Sequence, residues 1–437
     1  MSEFDLIDRR KNMKVFQNAC IVTVNSEFDV IENGTLAVEG KKISYVGPHR
    51  EFPEAETVDC TGKVIMPGFV NGHAHMPMIF FRGYTDDLNL QDWLWKKIFP
   101  LESRHTPDTQ YHGALAAAAE LTRTGTTTVN DMYYRGEHVA RALKEAGLSG
   151  IVSSCLMSTN EEVASVLQSA IELAEQYRED DDIRTAIAPH AEYTCTPEDL
   201  RHWGEVAVRT GQPIHIHCSE TRSEHDECIG RHGKTPVELF ESLGMMDAPM
   251  LLAHCVYITE NDMDIIKKHG ASVLHNPISN LKLASGVAPV PRMLEKGLKV
   301  AISTDGPASN NTQDMWEEMR VAALIHKGYL RDPLVMNART SLYHATKGAA
   351  LALGYDDRGS LEEGMRADFV VFSTDSPAMD VRTDIVNLIV YSGNSRDIVM
   401  TVAGGEVLYD NGEYKKLDID KVMGDARADF ENVFRER

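Results

Sequence analysis

Short apolar runs alternate with helical patterns from Val64 to Gly306, and this alternation constrains the fold more than any other feature. Helical periodicity is clearest in the segments that begin at Tyr111 and Asn160. Buried strands that alternate with helices are typical of a parallel sheet, and eight such units build a (β/α)₈ barrel. The eight apolar runs begin at Val64, Thr126, Leu148, Ile183, Pro213, Pro249, Ala271 and Leu298. The sequence therefore predicts an α/β protein whose main body is a TIM barrel.

Both termini carry shorter strand patterns separated by turns, such as ACIVTV near the start and IVMTVAGGEVLYDNG near the end. Such patterns indicate hairpins. We predict that residues 1–65 and 368–437 together form a small β-sandwich domain, and that the barrel of residues 66–367 is inserted between its halves. The last twenty residues have the pattern of an amphipathic helix. The polar residues 1–12 are predicted to be an extension, or to precede an alternative start at Met13.

Polar side chains occupy the C-terminal ends of six of the eight predicted strands, the end that carries the active site in such barrels. His73 and His75 are alternate residues of one strand and project to the same side, and His217 and Asp305 end two later strands. Three imidazoles and one carboxylate leave a divalent metal with an open position, as a catalytic site needs. For His73 and His75 alone, ordinary hydrogen-bonded core histidines are the alternative. The full set is His73, His75, His190, His217 with Glu220 just beyond it, His254, His275 and Asp305.

Charge and cysteine usage limit the possible partners. The chain has 44 basic and 66 acidic residues, a net charge of −22, which argues against nucleic acid or an acidic membrane as a partner. Seven scattered cysteines without a C-x-x-C pair favour a reducing compartment and disfavour a thiolate zinc site. The N-terminus has no signal-peptide pattern, and no apolar run approaches the length of a membrane span. We expect a cytoplasmic protein with a small-molecule partner.

Several stretches, taken in order, resemble the amidohydrolase superfamily, and within it the methylthioadenosine/S-adenosylhomocysteine deaminase group. They are PGFVNGHAHMP, HIHCSET, LLAHCVY, HNPISNLKL, STDGPASNN, GSLEEGMRADFVVF and VAGGEVLYDNGEY. The resemblance extends over nearly the whole chain. It implies a metal-dependent enzyme that converts an adenosine-type nucleoside to its inosine analogue and ammonia, and it implies a homo-oligomer, either a dimer or a tetramer.

The resemblance also implies roles for the residues at the strand ends. His73, His75, His217 and Asp305 would hold one divalent metal per chain, expected to be Zn²⁺ with Fe²⁺ as the alternative. A metal-bound hydroxide would attack C6 of the purine while Glu220 protonates N1. Asp305 would take a proton from the metal-bound water and pass it to the departing ammonia. His254 would orient the hydroxide.

Three more residues are implied to bind the substrate, and each also has a structural interpretation. Glu102, in LESRH, would bind ribose hydroxyls, or it is a surface carboxylate. His190, in APHAEY, would contact the ring or ribose, or it is a core histidine. Trp93 would form an aromatic wall for the base, or it packs a loop, as Trp95 also could.

The chain departs from its relatives where they bind the homocysteine tail. Members that accept S-adenosylhomocysteine hold its carboxylate with arginines after the third strand. Here that region reads SSCLMSTNEE, and the carboxylate would meet Glu161 and Glu162 instead. Glu192, in PHAEY, is also predicted near the ligand. We therefore expect adenosine, 5′-deoxyadenosine or 5′-methylthioadenosine to be better substrates than S-adenosylhomocysteine.

Two other functions are compatible with parts of this pattern. One is a deaminase or chlorohydrolase that acts on another aminated heterocycle, such as guanine, a pterin, an 8-oxopurine or a triazine. The other is a non-enzymatic scaffold, which the presence of all four predicted ligands disfavours. The deaminase pattern of H-x-E with P-C-x-x-C is absent from the sequence, so that different zinc fold is excluded.

Overall fold

A computed structural model of the chain describes residues 13–84, 86–380 and 383–435, and the extension predicted at residues 1–12 lies outside these ranges. In chain order the strands are β1 (Met13–Val22), β2 (Val30–Glu39), β3 (Lys42–Pro48), β4 (Glu56–Asp59), β5 (Lys63–Pro67), β6 (Phe69–Ala74), β7 (Thr126–Tyr133), β8 (Ser149–Leu156), β9 (Ile183–Pro189), β10 (Ile214–Cys218), β11 (Met250–His254), β12 (Ser272–His275), β13 (Lys299–Ile302), β14 (Phe369–Ser373), β15 (Ile398–Ala403), β16 (Glu406–Asp410) and β17 (Glu413–Tyr414).

Helices connect the strands and cover the outside of the barrel. They are α1 (Leu90–Trp93), α2 (Phe99–Glu102), α3 (Pro107–Arg123), α4 (Gly136–Ala146), α5 (Val163–Gln176), α6 (Pro197–Thr210), α7 (Arg222–His232), α8 (Pro236–Ser242), α9 (Glu260–His269), α10 (Pro277–Lys282), α11 (Val290–Glu295), α12 (Met315–Leu330), α13 (Ala338–Ala345), α14 (Lys347–Ala352), α15 (Pro377–Asp380), α16 (Ile385–Tyr391) and α17 (Ile419–Phe434). Among the described residues, no helix is long and apolar enough to span a membrane.

Strands β6 to β13 form a parallel sheet in sequence order, which confirms the predicted eight-stranded barrel. Its first and last strands meet where Ala74 bridges to Asp305 and the Asp305 amide donates a hydrogen bond to the His73 carbonyl at 2.9 Å. Gly72 permits this approach, because a Cβ there would lie 2.8 Å from the Cβ of Ala301. The closure therefore occurs at the mouth of the barrel, beside two of the predicted metal ligands.

The apolar run from Val64 to His75, predicted as one strand, is divided between two sheets. β5 pairs with β1 and β14 in the sheet of the termini, whereas β6 pairs with β7 in the barrel. Pro67 and Gly68 lie at the change of direction, and Pro67 has no amide hydrogen to continue a ladder. A Cβ on Gly68 would lie 2.4 Å from the Thr127 side chain, so only glycine fits. Periodicity does not reveal the division, because both strands are buried.

The strands of both termini combine as predicted, and hydrogen bonds join them in one continuous sheet of nine strands. β4 pairs with the first half of β1 and β5 with the second half. The two halves of the sheet share one core that includes Phe16, Leu36, Phe369 and Val402. The rings of Phe16 and Phe369 meet edge to face with centroids 5.0 Å apart. The strands of the two termini therefore form one sheet with a common core.

The C-terminal helix α17 is present as predicted, and it packs on the barrel helix α3. His112 of α3 lies with its Nδ1 2.7 Å from a carboxylate oxygen of Asp429. The carbonyl of Val433 accepts a hydrogen bond from the Arg104 guanidinium at 3.0 Å. The division of the chain at residues 65/66 and 367/368 stays a prediction.

Local sequence explains where the barrel helices begin and end. Thr106, Thr221 and Thr259 each accept from an amide one turn into α3, α7 and α9, and complete a capping box. Gly211 ends α6 in the left-handed conformation. The helices predicted from Tyr111 and Asn160 are α3 and α5. Thr346 separates α13 from α14.

Trp316 joins the barrel to the sheet of the termini, so we expect its truncation to destabilise both. Its ring centroid lies 5.7 Å from that of Phe69 and 5.2 Å from that of Phe372, and its Nε1 donates to the Ile389 carbonyl at 2.7 Å. Trp316→Ala should lower the free energy of unfolding by about 3–5 kcal/mol, measured by urea denaturation. Trp95→Ala, at a half-exposed tryptophan, is the control and should have little effect. Equal urea midpoints of unfolding for Trp316→Ala and Trp95→Ala would contradict this role.

Candidate active site

A pocket opens at the C-terminal ends of the barrel strands, and its floor contains most of the predicted site residues. His75, His217, His254, Glu220 and Asp305 line its deep end. The upper wall comes mainly from the segment between β6 and β7 and is apolar. Its apolar and aromatic residues include Met78, Leu90, Trp93, Leu94, Phe99 and Leu283.

The four predicted metal ligands converge at the barrel closure. Oδ1 of Asp305 lies 3.2 Å from Nε2 of His73 and 3.2 Å from Nε2 of His75. Nε2 of His217 lies 3.3 Å from Nε2 of His75. Ligand atoms of His73, His75 and Asp305 lie within 4.8 Å of one another, as do those of His73, His217 and His254. Each of these groups could hold a divalent cation.

The Nδ1 atoms of these imidazoles make hydrogen bonds to the protein, which leaves the Nε2 atoms available for a metal. Nδ1 of His75 donates to the Met132 carbonyl, and Nδ1 of His217 donates to the His190 carbonyl at 2.7 Å. A carbonyl can only accept, so in a neutral ring the proton is on Nδ1 and Nε2 carries the lone pair. Nε2 of His73 is buried and makes no hydrogen bond of suitable geometry. Lone pairs that face one another beside a carboxylate fit a divalent cation.

The electrostatics of the cluster agree with a cation at this point. Burial lowers the pKa of His73 to about 4 and holds the pKa of His217 well below its ordinary value, so both rings are neutral. Burial also disfavours charge on His75, but the hydrogen bond and charge of Asp305 outweigh it and raise the pKa of His75 to about 9. The carboxylate therefore attracts positive charge to the centre of the cluster.

The residues predicted for catalysis lie beside the predicted ligands. Nε2 of His254 is 3.6 Å from Oε2 of Glu220, and the other oxygen of Glu220 accepts from Ser285 at 3.2 Å. Burial raises the pKa of Glu220, which favours its protonated form. His254 and Asp305 have positive φ angles of 72° and 63°, a strained conformation that is common at functional sites.

Two of the three predicted substrate residues form the upper pocket together with Tyr134. Glu102 is buried, and its carboxylate accepts a hydrogen bond from the Tyr134 hydroxyl at 2.8 Å. Trp93 faces the pocket, whereas Trp95 is half exposed and bonds to Gln91. The surface alternative for Glu102 is therefore wrong.

The third predicted substrate residue, His190, is buried between the pocket and His217. The ring centroids of His190 and His217 are 4.8 Å apart. Burial lowers the pKa of His190 to about 3, so it is neutral. Its Nδ1 is 3.1 Å from the Thr194 hydroxyl. His190 thus borders both the open pocket and a predicted ligand.

The acidic residues predicted to meet a substrate tail do not reach the pocket. Glu192 is buried and pairs with Arg231 on α7, so its placement near the ligand is wrong. Glu161 and Glu162 are exposed, and Glu162 pairs with Arg135 at 3.3 Å. The prediction for Glu192 is wrong by one residue, since the neighbouring Tyr193 lines the pocket.

Sequence reasoning did not assign several residues that orient the predicted site. Oδ2 of Asp305 accepts from the hydroxyls of Ser279 at 2.6 Å and Ser309 at 2.8 Å. Nδ1 of His254 lies 2.8 Å from Oδ1 of Asn280. Ser279 and Asn280 belong to HNPISNLKL, and Ser309 belongs to STDGPASNN. The motifs were therefore recognised in the sequence, but the hydrogen bonds of these three residues were not predicted. Only the folded loops reveal which side chains they contact.

The amidohydrolase family model matches residues 64–408. The chain belongs to the amidohydrolase family. It is 38% identical over 400 residues to the 5-methylthioadenosine/S-adenosylhomocysteine deaminase of Dictyoglomus thermophilum, which covers 91% of this chain and 94% of that protein. It is also 38% identical over 423 residues to the 5′-deoxyadenosine deaminase of Methanosarcina acetivorans, which covers 96% and 98%. The resemblance inferred from the motifs is confirmed, and this amidohydrolase is of the deaminase type.

Solved structures agree with this assignment. An adenosine deaminase from Xanthomonas campestris, with bound zinc, superposes with a TM-score of 0.93 at 31% identity and covers 96% of this chain and 98% of that one. An atrazine chlorohydrolase from Arthrobacter aurescens has a TM-score of 0.88 at 23% identity, covers 95% and 100%, and shows the same fold. With the cluster of histidines and Asp305, these findings support a divalent metal in this amidohydrolase.

Addition of Zn²⁺ to metal-free protein should raise its melting temperature, because the ion binds the folded cluster. At a zinc concentration one hundred times the Kd the gain is about 2.7 kcal/mol. His75→Ala should abolish most of this shift, because it removes a ligand and leaves Asp305 without one of its partners. His269→Ala, on the outside of α9, is the control and should keep it. Equal zinc-induced shifts in both variants, measured by differential scanning calorimetry, would remove His75 from the ligand set.

Proposed function

We propose that this amidohydrolase hydrolyses the 6-amino group of an adenosine-type nucleoside, and that adenosine, 5′-deoxyadenosine or 5′-methylthioadenosine is its preferred substrate. The observation that carries the proposal is the position of one buried acid, Glu220, beside the ligand cluster and below an apolar pocket that contains Glu102. The relatives named for such nucleosides support the substrate class.

We assign His73, His75, His217 and Asp305 as ligands of one Zn²⁺, with Fe²⁺ as the alternative. A bound cation of this kind supplies Lewis acidity, which lowers the pKa of water at the site to ~7. The cluster is buried, and the apolar wall above it excludes bulk water, so charges within the site are weakly screened.

Glu220 is assigned as the group that delivers a proton to N1 of the purine ring. Burial raises its pKa, so the carboxyl retains a proton at a higher pH than an exposed glutamate would. Ser285 holds one oxygen, and the other faces His254 and the pocket. Asp305 accepts from two serines and directs its other oxygen at His73 and His75, where it can take a proton and return it to the leaving amine.

Substrate binding is assigned to Glu102, His190 and Trp93. Glu102 is buried with one oxygen bonded to Tyr134, so its remaining capacity can accept ribose hydroxyls. Trp93 offers an aromatic face in the same pocket as His190. A flat base between such groups gains stacking and hydrophobic contact.

The pocket wall explains the preference for a small, uncharged 5′-substituent. Cys155, near the end of β8, lines this pocket. No lysine or arginine is among the described residues that line the pocket. Arg135 is engaged by Glu162 outside it. A zwitterionic tail would lose its hydration without gaining an ion pair.

Steady-state kinetics that follow ammonia release test the substrate. With zinc-loaded protein we expect kcat/KM for 5′-deoxyadenosine and 5′-methylthioadenosine to exceed that for S-adenosylhomocysteine at least tenfold, about 1.4 kcal/mol of transition-state free energy. Equal values would refute the preference. Turnover of guanine or a chlorotriazine above that of all nucleosides would favour the alternative function on another heterocycle.

Glu220→Gln should reduce kcat by about 10²–10⁴-fold, because the amide cannot donate the required proton. The zinc content should be unchanged, since Glu220 is not an assigned ligand. Glu241→Gln, at a surface carboxylate paired with Lys268, is the control and should retain wild-type turnover. Full activity of Glu220→Gln would show that another group protonates the ring.

The homo-oligomer and the cytoplasmic location stay predictions. Analytical ultracentrifugation of the full chain distinguishes a dimer or tetramer from a monomer.

A further inference from the structure

His215 has no role in the site described so far, although it belongs to the HIHCSET motif. It is two residues before His217 on β10, so both side chains point into the barrel, with His215 one layer deeper. It is completely buried. An imidazole in such a place must be explained by the groups that it contacts.

Its main contact is a predicted metal ligand. Nε2 of His215 lies 2.8 Å from Nδ1 of His73, and the two rings are nearly perpendicular, with an interplanar angle of 81°. The same Nε2 is 3.4 Å from Nδ2 of Asn130 on β7. The contact with His73 is therefore one hydrogen bond between two imidazoles, and its direction depends on which nitrogen carries the proton.

Asn130 decides that direction. Its Nδ2 donates to the Gly72 carbonyl at 2.8 Å, which fixes the amide with its nitrogen toward His215. The second hydrogen on Nδ2 then points at Nε2 of His215. A protonated Nε2 would oppose that hydrogen, so Nε2 of His215 is the acceptor. Nδ1 of His73 is consequently the donor, and Nε2 of His73 keeps its lone pair.

The tautomers of the other two predicted histidine ligands do not depend on a third side chain. His75 and His217 donate to the carbonyls of Met132 and His190, which can only accept. His73 instead meets an imidazole that could donate or accept. The acceptor form leaves the Nδ1–H of His215 without a partner among the described residues, which costs stability.

We propose that His215 is a positioning residue that holds His73 in the tautomer able to bind the divalent cation, with Asn130 setting the direction of the hydrogen bond. This inference rests on the metal site of the proposed function. The second hydrogen bond of a ligating histidine fixes its tautomer and ring orientation, and loss of such a partner costs 10–100-fold in metal affinity or activity.

Competition between the full-length protein and a chelator for Zn²⁺ tests the proposal without an activity assay. His215→Phe keeps an aromatic ring but has no acceptor, and its zinc Kd should rise at least tenfold. His215→Gln places an amide oxygen where Nε2 stood and should restore most of the affinity. His326→Phe removes a buried histidine that contacts His275 and no ligand, and should bind zinc as the wild type does. An unchanged Kd in His215→Phe would overturn the proposal.

A second measurement on the wild type does not depend on how the variants fold. Nitrogen-15 spectra of the zinc-loaded full chain, labelled at histidine, report which ring nitrogen is protonated. We expect the proton of His215 on Nδ1 and that of His73 also on Nδ1. A proton on Nε2 of His215 would overturn the proposal. If the wild type deaminates no nucleoside while His215→Phe still binds zinc more weakly than the wild type, the proposed function is refuted and this inference stands.

Discussion

The closure of the barrel between its first and last strands is the constraint on which the site depends. The hydrogen bond from the Asp305 amide to the His73 carbonyl joins β6 to the segment after β13. Gly72 makes the approach possible, since any side chain there would collide with Ala301 and Ser303. The same contact brings the Asp305 carboxylate within 3.2 Å of two imidazoles that come from the opposite end of the sequence. Barrel closure therefore places Asp305 beside His73 and His75.

Burial then determines the chemistry of the cluster. Removal from water favours neutral imidazoles at His73, His190 and His217, and it raises the pKa of Glu220. Neutral rings can act as ligands, and a protonated carboxyl can act as an acid. The hydrogen-bond partners of the histidine Nδ1 atoms fix the orientation of each ring. The interior of the barrel therefore supplies both the protonation states and the geometry that hydrolysis of a ring amine requires.

Much of this arrangement could be predicted because strand periodicity and strand-end residues are local properties. The run from Thr126 to Tyr133 is a strand at the predicted residues, and four of the strand-end histidines, His75, His190, His217 and His254, line one pocket. The division of Val64–His75 between two sheets was not predictable, because both strands are buried and only the neighbours differ. Glu192 was misplaced for a related reason, since a turn after β9 directs Tyr193 into the pocket and Glu192 onto α7.

The sequence by itself determined the fold class and the family and predicted the metal ligands, because these follow from periodicity and from motifs that lie within single segments. The tertiary structure decided which side chains orient them. Asn280 beside His254, Ser279 beside Asp305 and His215 beside His73 are 26, 26 and 142 residues from their partners in the chain. No local pattern encodes such pairs. They are formed only when the parallel strands place distant residues in the same layer of the barrel.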